Sequence, residues 1–128
     1  MANTNFGLSQ IGQIAINVKD PARATAFYRD VLGMKHLFCA GPLSFFDAGG
    51  VRLMLTLPDK PEFDHPSSIL YFKVPDIQAA YQDMTSRNVL FEAKPELVAR
   101  MPDHDLWIGA FRDSEGNLLA LMCEAPKS

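Results

Sequence analysis

Cysteine, histidine, tryptophan and basic charge are all scarce in this chain, and each scarcity removes a class of function. The 128 residues include two cysteines, Cys39 and Cys123, far apart and in no CxxC or zinc-type spacing. Neither a disulfide framework nor a zinc module is expected, and two free buried thiols in a reducing cytoplasm is the reading that fits. Three histidines, His36, His65 and His104, form no i, i+4 pair. There is no GxSxG, no phosphate-cradling glycine loop and no catalytic-cysteine context. Lys and Arg total 12 against 15 Asp and Glu, for a net charge of -3, so the basic footprint of a nucleic-acid binder is missing. No uncharged apolar run approaches the roughly 18 residues of a membrane helix. The polar start, Met1–Gln10, does not read as a secretory signal. What is present is core material: 48% hydrophobic residues with only 21% charged, enough for one soluble, cytoplasmic domain over 1–128.

Residues 11–18 alternate, with Ile14, Ile16 and Val18 on one face and Gln13, Ala15 and Asn17 on the other, as in a half-buried strand. Asp20-Pro21 then reads as an N-cap with proline at the first helical position. Ala24, Phe27, Tyr28, Val31 and Leu32 form an apolar helical stripe that Gly33 stops. Strands are expected at 35–40, 43–47 and 51–56, with turns at Gly41-Pro42 and Ala48-Gly49-Gly50. The proline-rich stretch 57–66 reads as a linker. Beyond it the pattern restarts: a strand at 69–74, a helix capped by Asp76 with Ile77, Ala80, Tyr81 and Met84 as its stripe, and strands near 89–93 and 97–101 that read as one interrupted strand. A final hairpin, 106–112 with 118–123, closes around Asp113–Asn117.

The restart is an internal repeat. Val18-Lys19-Asp20 matches Val74-Pro75-Asp76 at an offset of 56, and Asp47-Ala48-Gly49-Gly50 matches Asp113-Ser114-Glu115-Gly116 at an offset of 66. Each copy reads β-α-β-β-β: module 1 over about 8–57, a linker over about 58–66, and module 2 over about 67–124. One such module leaves a sheet face uncovered, so the two copies are expected to pair.

Three stretches carry a resemblance to a known family: Ile11 through Asp20, Phe27-Tyr28-Arg29-Asp30-Val31-Leu32-Gly33-Met34, and Phe111-Arg112-Asp113-Ser114-Glu115-Gly116-Asn117-Leu118. In order and spacing the chain resembles the vicinal oxygen chelate superfamily, which embraces glyoxalases, bleomycin resistance proteins and extradiol dioxygenases. The resemblance implies an α+β fold in which two tandem βαβββ modules form a curved eight-stranded cleft with helices outside. It implies a homodimer as well. Enzymes of this superfamily hold a divalent metal on ligands from the first and last strands of each module, usually His, Glu or Gln.

The matching positions are Gln13, Met54, Ile69 and Ala120. Only Gln13 offers a hard donor; Met54 is a soft thioether without a soft partner, and the other two offer nothing. The set therefore argues for no metal and no catalytic residue. The tightest polar cluster elsewhere is Asp103-His104-Asp105, where flanking carboxylates would favour a protonated imidazole or, more plainly, a solvated loop.

Strand alternation leaves Gln13, Ala15, Asn17, Arg52, Met54, Thr56, Ile69, Tyr71, Lys73, Leu118, Ala120 and Met122 on the cleft face, a mixture of apolar, aromatic and hydrogen-bonding groups such as small-molecule sites have. Gln13, Arg52, Met54, Ile69, Tyr71, Ala120 and Met122 are the candidate ligand contacts among them. If Arg112 closes the last hairpin opposite Asn117, Trp107 and Phe111 join them, and a Trp beside Met and Tyr would stack a planar ligand. Arg52 and Lys73 would suit a ligand carboxylate. Two functions of different class follow. One is a metal-free protein binding a small, partly aromatic ligand. The other is a glyoxalase- or dioxygenase-like metalloenzyme (a lyase, isomerase or dioxygenase) whose site is rearranged, with His104 as a candidate contributor. A structural or regulatory role with a self-filled cleft is the plainest alternative.

Overall fold

The computed structural model describes residues 6–127, so the first five residues of the polar start lie outside the described residues. Strand β1 (Gln13–Asn17) leads to Asp20, whose carboxylate accepts from the Arg23 backbone N–H at 3.1 Å and caps helix α1 (Pro21–Ala26). The helix widens into a π-helical turn over Phe27–Val31, where Leu32 N–H donates to the Phe27 carbonyl at 3.0 Å. Gly33 then leaves it at φ +72°, a left-handed conformation that suits glycine. Strands β2 (Lys35–Ala40), β3 (Leu43–Ala48) and β4 (Val51–Thr56) complete a sheet of order β1-β4-β3-β2, with β1 parallel to β4. Gly49 and Gly50, at φ +66° and +93°, make the two-residue turn that sets Ala48 opposite Val51.

The second half repeats the scheme: β5 (Tyr71–Lys73), α2 (Ile77–Ser86) capped by Asp76, β6 (Leu90–Phe91), β7 (Glu96–Arg100), β8 (Asp105–Arg112) and β9 (Leu118–Ala125). Both β6 and β7 pair with β8, so the strand read as interrupted is interrupted, and there are nine strands among the described residues instead of eight. Pro95, which lacks an N–H, sits at the break and packs over Gly109 of β8, where an added Cβ would lie 3.2 Å from its ring. The repeat is exact in register: Ala15 faces Met54 in the first sheet and Tyr71 faces Ala120 in the second, positions related by the offsets 56 and 66. The α+β fold of two βαβββ units is thus present. Among the described residues its strands form two separate hydrogen-bonded sheets, and the units meet through side chains.

One apolar core serves both halves. Ile16, Val18, Ala24, Tyr28, Phe46, Leu53 and Leu55 from the first pack with Ile77, Val89, Phe111, Leu119, Leu121 and Cys123 from the second. The β8–β9 turn, Asp113–Asn117, plugs into the start of α1. Glu115 is buried and accepts from the backbone N–H groups of Lys19 and Asp20, both at 2.8 Å, and from the Arg23 guanidinium at 2.8 and 3.0 Å. Asp113, also buried, accepts from the Tyr28 hydroxyl at 2.6 Å, and Asn117 Nδ2 donates to the Asn17 carbonyl at 2.9 Å. Burial and the adjoining Asp113 carboxylate push the Tyr28 hydroxyl pKa far above its usual value, so it stays a donor at every accessible pH. Replacing Tyr28 by Phe removes one charge-assisted hydrogen bond and is expected to cost about 1–2 kcal/mol, read from the urea midpoint. Of the two thiols, Cys123 is buried as read from the sequence, whereas Cys39 is exposed near the end of β2. Among the described residues no helix is long and apolar enough to cross a membrane.

Candidate functional site

Each sheet keeps one face on the shared core and leaves the other open. On the open face of the first sheet, Gln13 faces Arg52 and Ala15 faces Met54, while Gln13 Nε2 lies 3.7 Å from Met54 Sδ. Two residues not singled out from sequence complete this face. Phe45 of β3 lies opposite Met54, and Phe38 of β2 lies opposite Phe45. Their rings stack at 4.6 Å and 27°, and the Arg52 guanidinium sits 5.7 and 5.6 Å from the two ring centres, within cation–π range. Phe45 was within reach of the sequence, because the Gly49-Gly50 turn fixes its partner. Phe38 was not, because β2 carries an irregularity between His36 and Phe38 that shifts the face on which later residues fall.

On the open face of the second sheet, Tyr71 faces Ala120, Lys73 faces Met122, and Ile69 precedes Tyr71 by two. Tyr71 and Ile69 are exposed, Met122 is partly covered and Ala120 is buried. Trp107 and Phe111 do not belong here. The last hairpin closes with Asp113 N–H donating to the Asn117 carbonyl and Arg112 opposite Leu118, one residue away from the register expected from sequence. That slip turns Trp107 toward Cys123 and Phe111 toward Leu119, on the core side, and gives the open face to Leu106, Ile108 and Ala110. Nor is Lys73 available for a ligand carboxylate, since Glu124 holds it at 2.7 Å. Each raises the other's preference for its charged form, the Lys73 pKa moving up and that of Glu124 down.

Gln13 and Met54 touch, but Ile69 and Ala120 supply no donor atom, so the residues do not fit a divalent ion. His104 does not restore the set. Its Nδ1 lies 2.7 Å from Asp103, which holds that carboxyl below the usual range, and its Nε2 faces Glu124 at 3.6 Å. It stands at the Lys73 end of the second sheet, away from Ile69. Among the described residues, no three His, Cys, Asp or Glu side chains converge as a metal site.

Two concavities lie elsewhere, along the linker: grooves of about 880 and 430 Å³, the larger lined by residues including Asn17, His65, Ile69, Arg112, Asn117 and Leu118. Of the residues expected on the cleft face, Asn17, Ile69 and Leu118 line the larger groove and Ala15, Asn17 and Thr56 the smaller, while of the candidate ligand contacts Ile69 alone reaches them. Several of their polar groups are already engaged within the protein. Asn17 Nδ2 donates to the Phe63 and His65 carbonyls, Asn117 to Asn17, and Arg112 to Glu92.

Known proteins share this arrangement. A family model described as the glyoxalase/bleomycin resistance protein/dioxygenase superfamily matches residues 10–121. A member of that superfamily from Sphaerobacter thermophilus is similar at 25% identity and a TM-score of 0.75, covering 91% of this chain and 98% of its own. An antibiotic binding protein from a Streptomyces species is similar at 19% identity and 0.74, covering 94% and 100%. A lactoylglutathione lyase from Agrobacterium tumefaciens is similar at 22% and 0.68, covering 90% and 93%. No curated protein matches the chain. With nearly its whole length matched by the family model, the chain belongs to the glyoxalase/bleomycin resistance protein/dioxygenase superfamily.

Proposed function

We propose that this protein binds a small, partly aromatic molecule on the open face of its first sheet, without a metal. The observation that carries the reading is the juxtaposition on one face of a stacked Phe38–Phe45 pair, an arginine above it and the Gln13–Met54 contact, where two of the four positions that would ligate a metal bear Ile69 and Ala120. Apolar walls with few, directional polar groups are what small ligands select. The likeness to an antibiotic binding protein at similar coverage fits this reading. The likeness to a lyase carries less weight here, because the His104 nitrogens already face two carboxylates.

A single domain of two modules, about 8–57 and 67–124, hinged at 58–66, is part of this proposal. So is a cytoplasmic homodimer. Ile69, Tyr71 and Leu90 are exposed on the second sheet's open face, and a second copy would cover them while roofing the first sheet of its partner. Light scattering behind a sizing column is expected to give about 28 kDa, twice the 14.2 kDa of the single chain.

The test is thermal denaturation with a panel of planar aromatic compounds in the presence of a chelator. At least one compound is expected to raise the melting temperature in proportion to the logarithm of its concentration. Stabilisation that appears only after a stoichiometric divalent metal is restored would overturn the metal-free reading.

A further inference from the structure

Arg52 stands apart from the other arginines of the chain. Arg23, Arg29, Arg87, Arg100 and Arg112 each hold a carboxylate, on Glu115, Asp30, Asp83, Asp105 and Glu92 respectively. Arg52 has no ion-pair partner among the described residues. The carboxylate nearest to it in the ladder is Asp47, directly opposite on β3, and this group bends back to accept from the Gly50 N–H at 3.1 Å. On its other side Arg52 faces Gln13, a neutral amide whose Nε2 is spent on Met54. The guanidinium is therefore exposed, nearly equidistant from the centres of two stacked rings, and without an ion-pair partner among the described residues.

Resting on the binding reading above, we infer that the ligand is a planar aromatic carboxylate: its ring lies against the exposed Phe38 and its carboxylate takes the Arg52 guanidinium. A guanidinium lying over aromatic rings is weakly hydrated and presents its N–H fork in a fixed plane, the geometry that a carboxylate accepts in two parallel hydrogen bonds. Phe38, 45% exposed, supplies an aromatic surface beside it, and Phe45 beneath is only 7% exposed, so the outer ring rests on a rigid inner one. Ring and charge therefore sit side by side, the guanidinium carbon 5.7 Å from the Phe38 ring centre. A positively charged or purely aliphatic ligand would satisfy one half of this pair and not the other.

Calorimetric titration separates the two halves with three probes: 2-naphthoate, its neutral isostere 2-naphthamide, and cyclohexanecarboxylate. The wild-type protein is expected to bind 2-naphthoate roughly tenfold tighter than either of the others. Arg52→Gln is expected to remove the preference for naphthoate over naphthamide, Arg52→Lys to keep part of it, and Phe38→Ala to weaken both naphthyl compounds alike. Arg29→Gln, which removes an equal charge elsewhere on the surface, is expected to leave all three unchanged. Melting temperatures equal to wild type for Arg52→Gln and Phe38→Ala show that the fold is kept, as their exposure implies. Equal binding of naphthoate and naphthamide, or naphthoate affinity untouched by Arg52→Gln, overturns the carboxylate inference and leaves the aromatic-binding reading standing. Binding of cyclohexanecarboxylate as tight as naphthoate overturns the aromatic half instead. Failure of all three probes overturns this inference and, if the broader thermal panel is also silent, the binding reading with it.

Discussion

Glu115→Gln is expected to lower stability by about 3 kcal/mol at pH 7, a drop of roughly 10 °C in melting temperature for a domain of this size. The carboxylate is buried and gathers two backbone N–H groups, the Arg23 guanidinium and the Ser114 hydroxyl. A glutamine can accept from only part of that set, and its own N–H₂ meets donors. Those same donors, the Arg23 guanidinium first, hold the Glu115 carboxyl at about 2, below its ordinary 4.5. As pH falls, the unfolded chain takes up this proton before the folded one does. The stabilisation is therefore complete above about pH 4.5 and lost as pH approaches 2, amounting to about 2–3 kcal/mol after allowance for the half-exposed Arg23. Glu115→Gln lacks this component, so its deficit relative to wild type is expected to shrink between pH 5 and 2 in urea titrations. Asp30 and Asp103, also held below their usual range, contribute slopes that both proteins share. A deficit that stays constant across that range would contradict the assignment.

Asp113→Ala is expected to cost about 3–5 kcal/mol, because it strands several buried donors at once. Oδ1 accepts from the backbone N–H groups of Glu115 and Asn117, both at 2.8 Å, and Oδ2 accepts from the Tyr28 hydroxyl and Asn117 Nδ2. These bonds fix the turn, and the turn fixes the register of β8 on β9. Loss of the carboxylate thus loosens both the hairpin and its docking on α1. Since Asp113 shapes the loop that presents Glu115, the double variant is expected to fall short of the sum of the two singles by about 1 kcal/mol or more. Additive effects in chemical denaturation would show that the turn and the α1 contact are energetically separate.

The element order, the caps at Asp20 and Asp76 and the two-residue Gly49-Gly50 turn were legible because each rests on local chemistry: a carboxylate for orphan N–H groups, and glycines for positive φ. The internal offsets matched Gln13 with Ile69 and Met54 with Ala120, and the same offsets relate the pairs Ala15–Met54 and Tyr71–Ala120 that the two sheets form. What failed was register at one hairpin. A five-residue turn does not declare its closing pair, and the one-residue difference moved Trp107 and Phe111 from the open face to the core. Phe38 was hidden by the irregularity in β2, and the pairing of Lys73 with Glu124 joins elements distant in sequence. Local rules read the frame of the site, and long-range pairing decided its lining.

The central claim is that ligand binds on the Gln13–Arg52–Met54 face and not in the larger groove at the hinge. Heteronuclear NMR of the chelator-treated protein titrated with 2-naphthoate tests it most directly. The account predicts that the largest shift changes fall on Gln13, Phe38, Arg52 and the Met54 methyl. Changes concentrated instead on Asn17, His65, Ser68 and Asn117, which line the hinge groove, would contradict it.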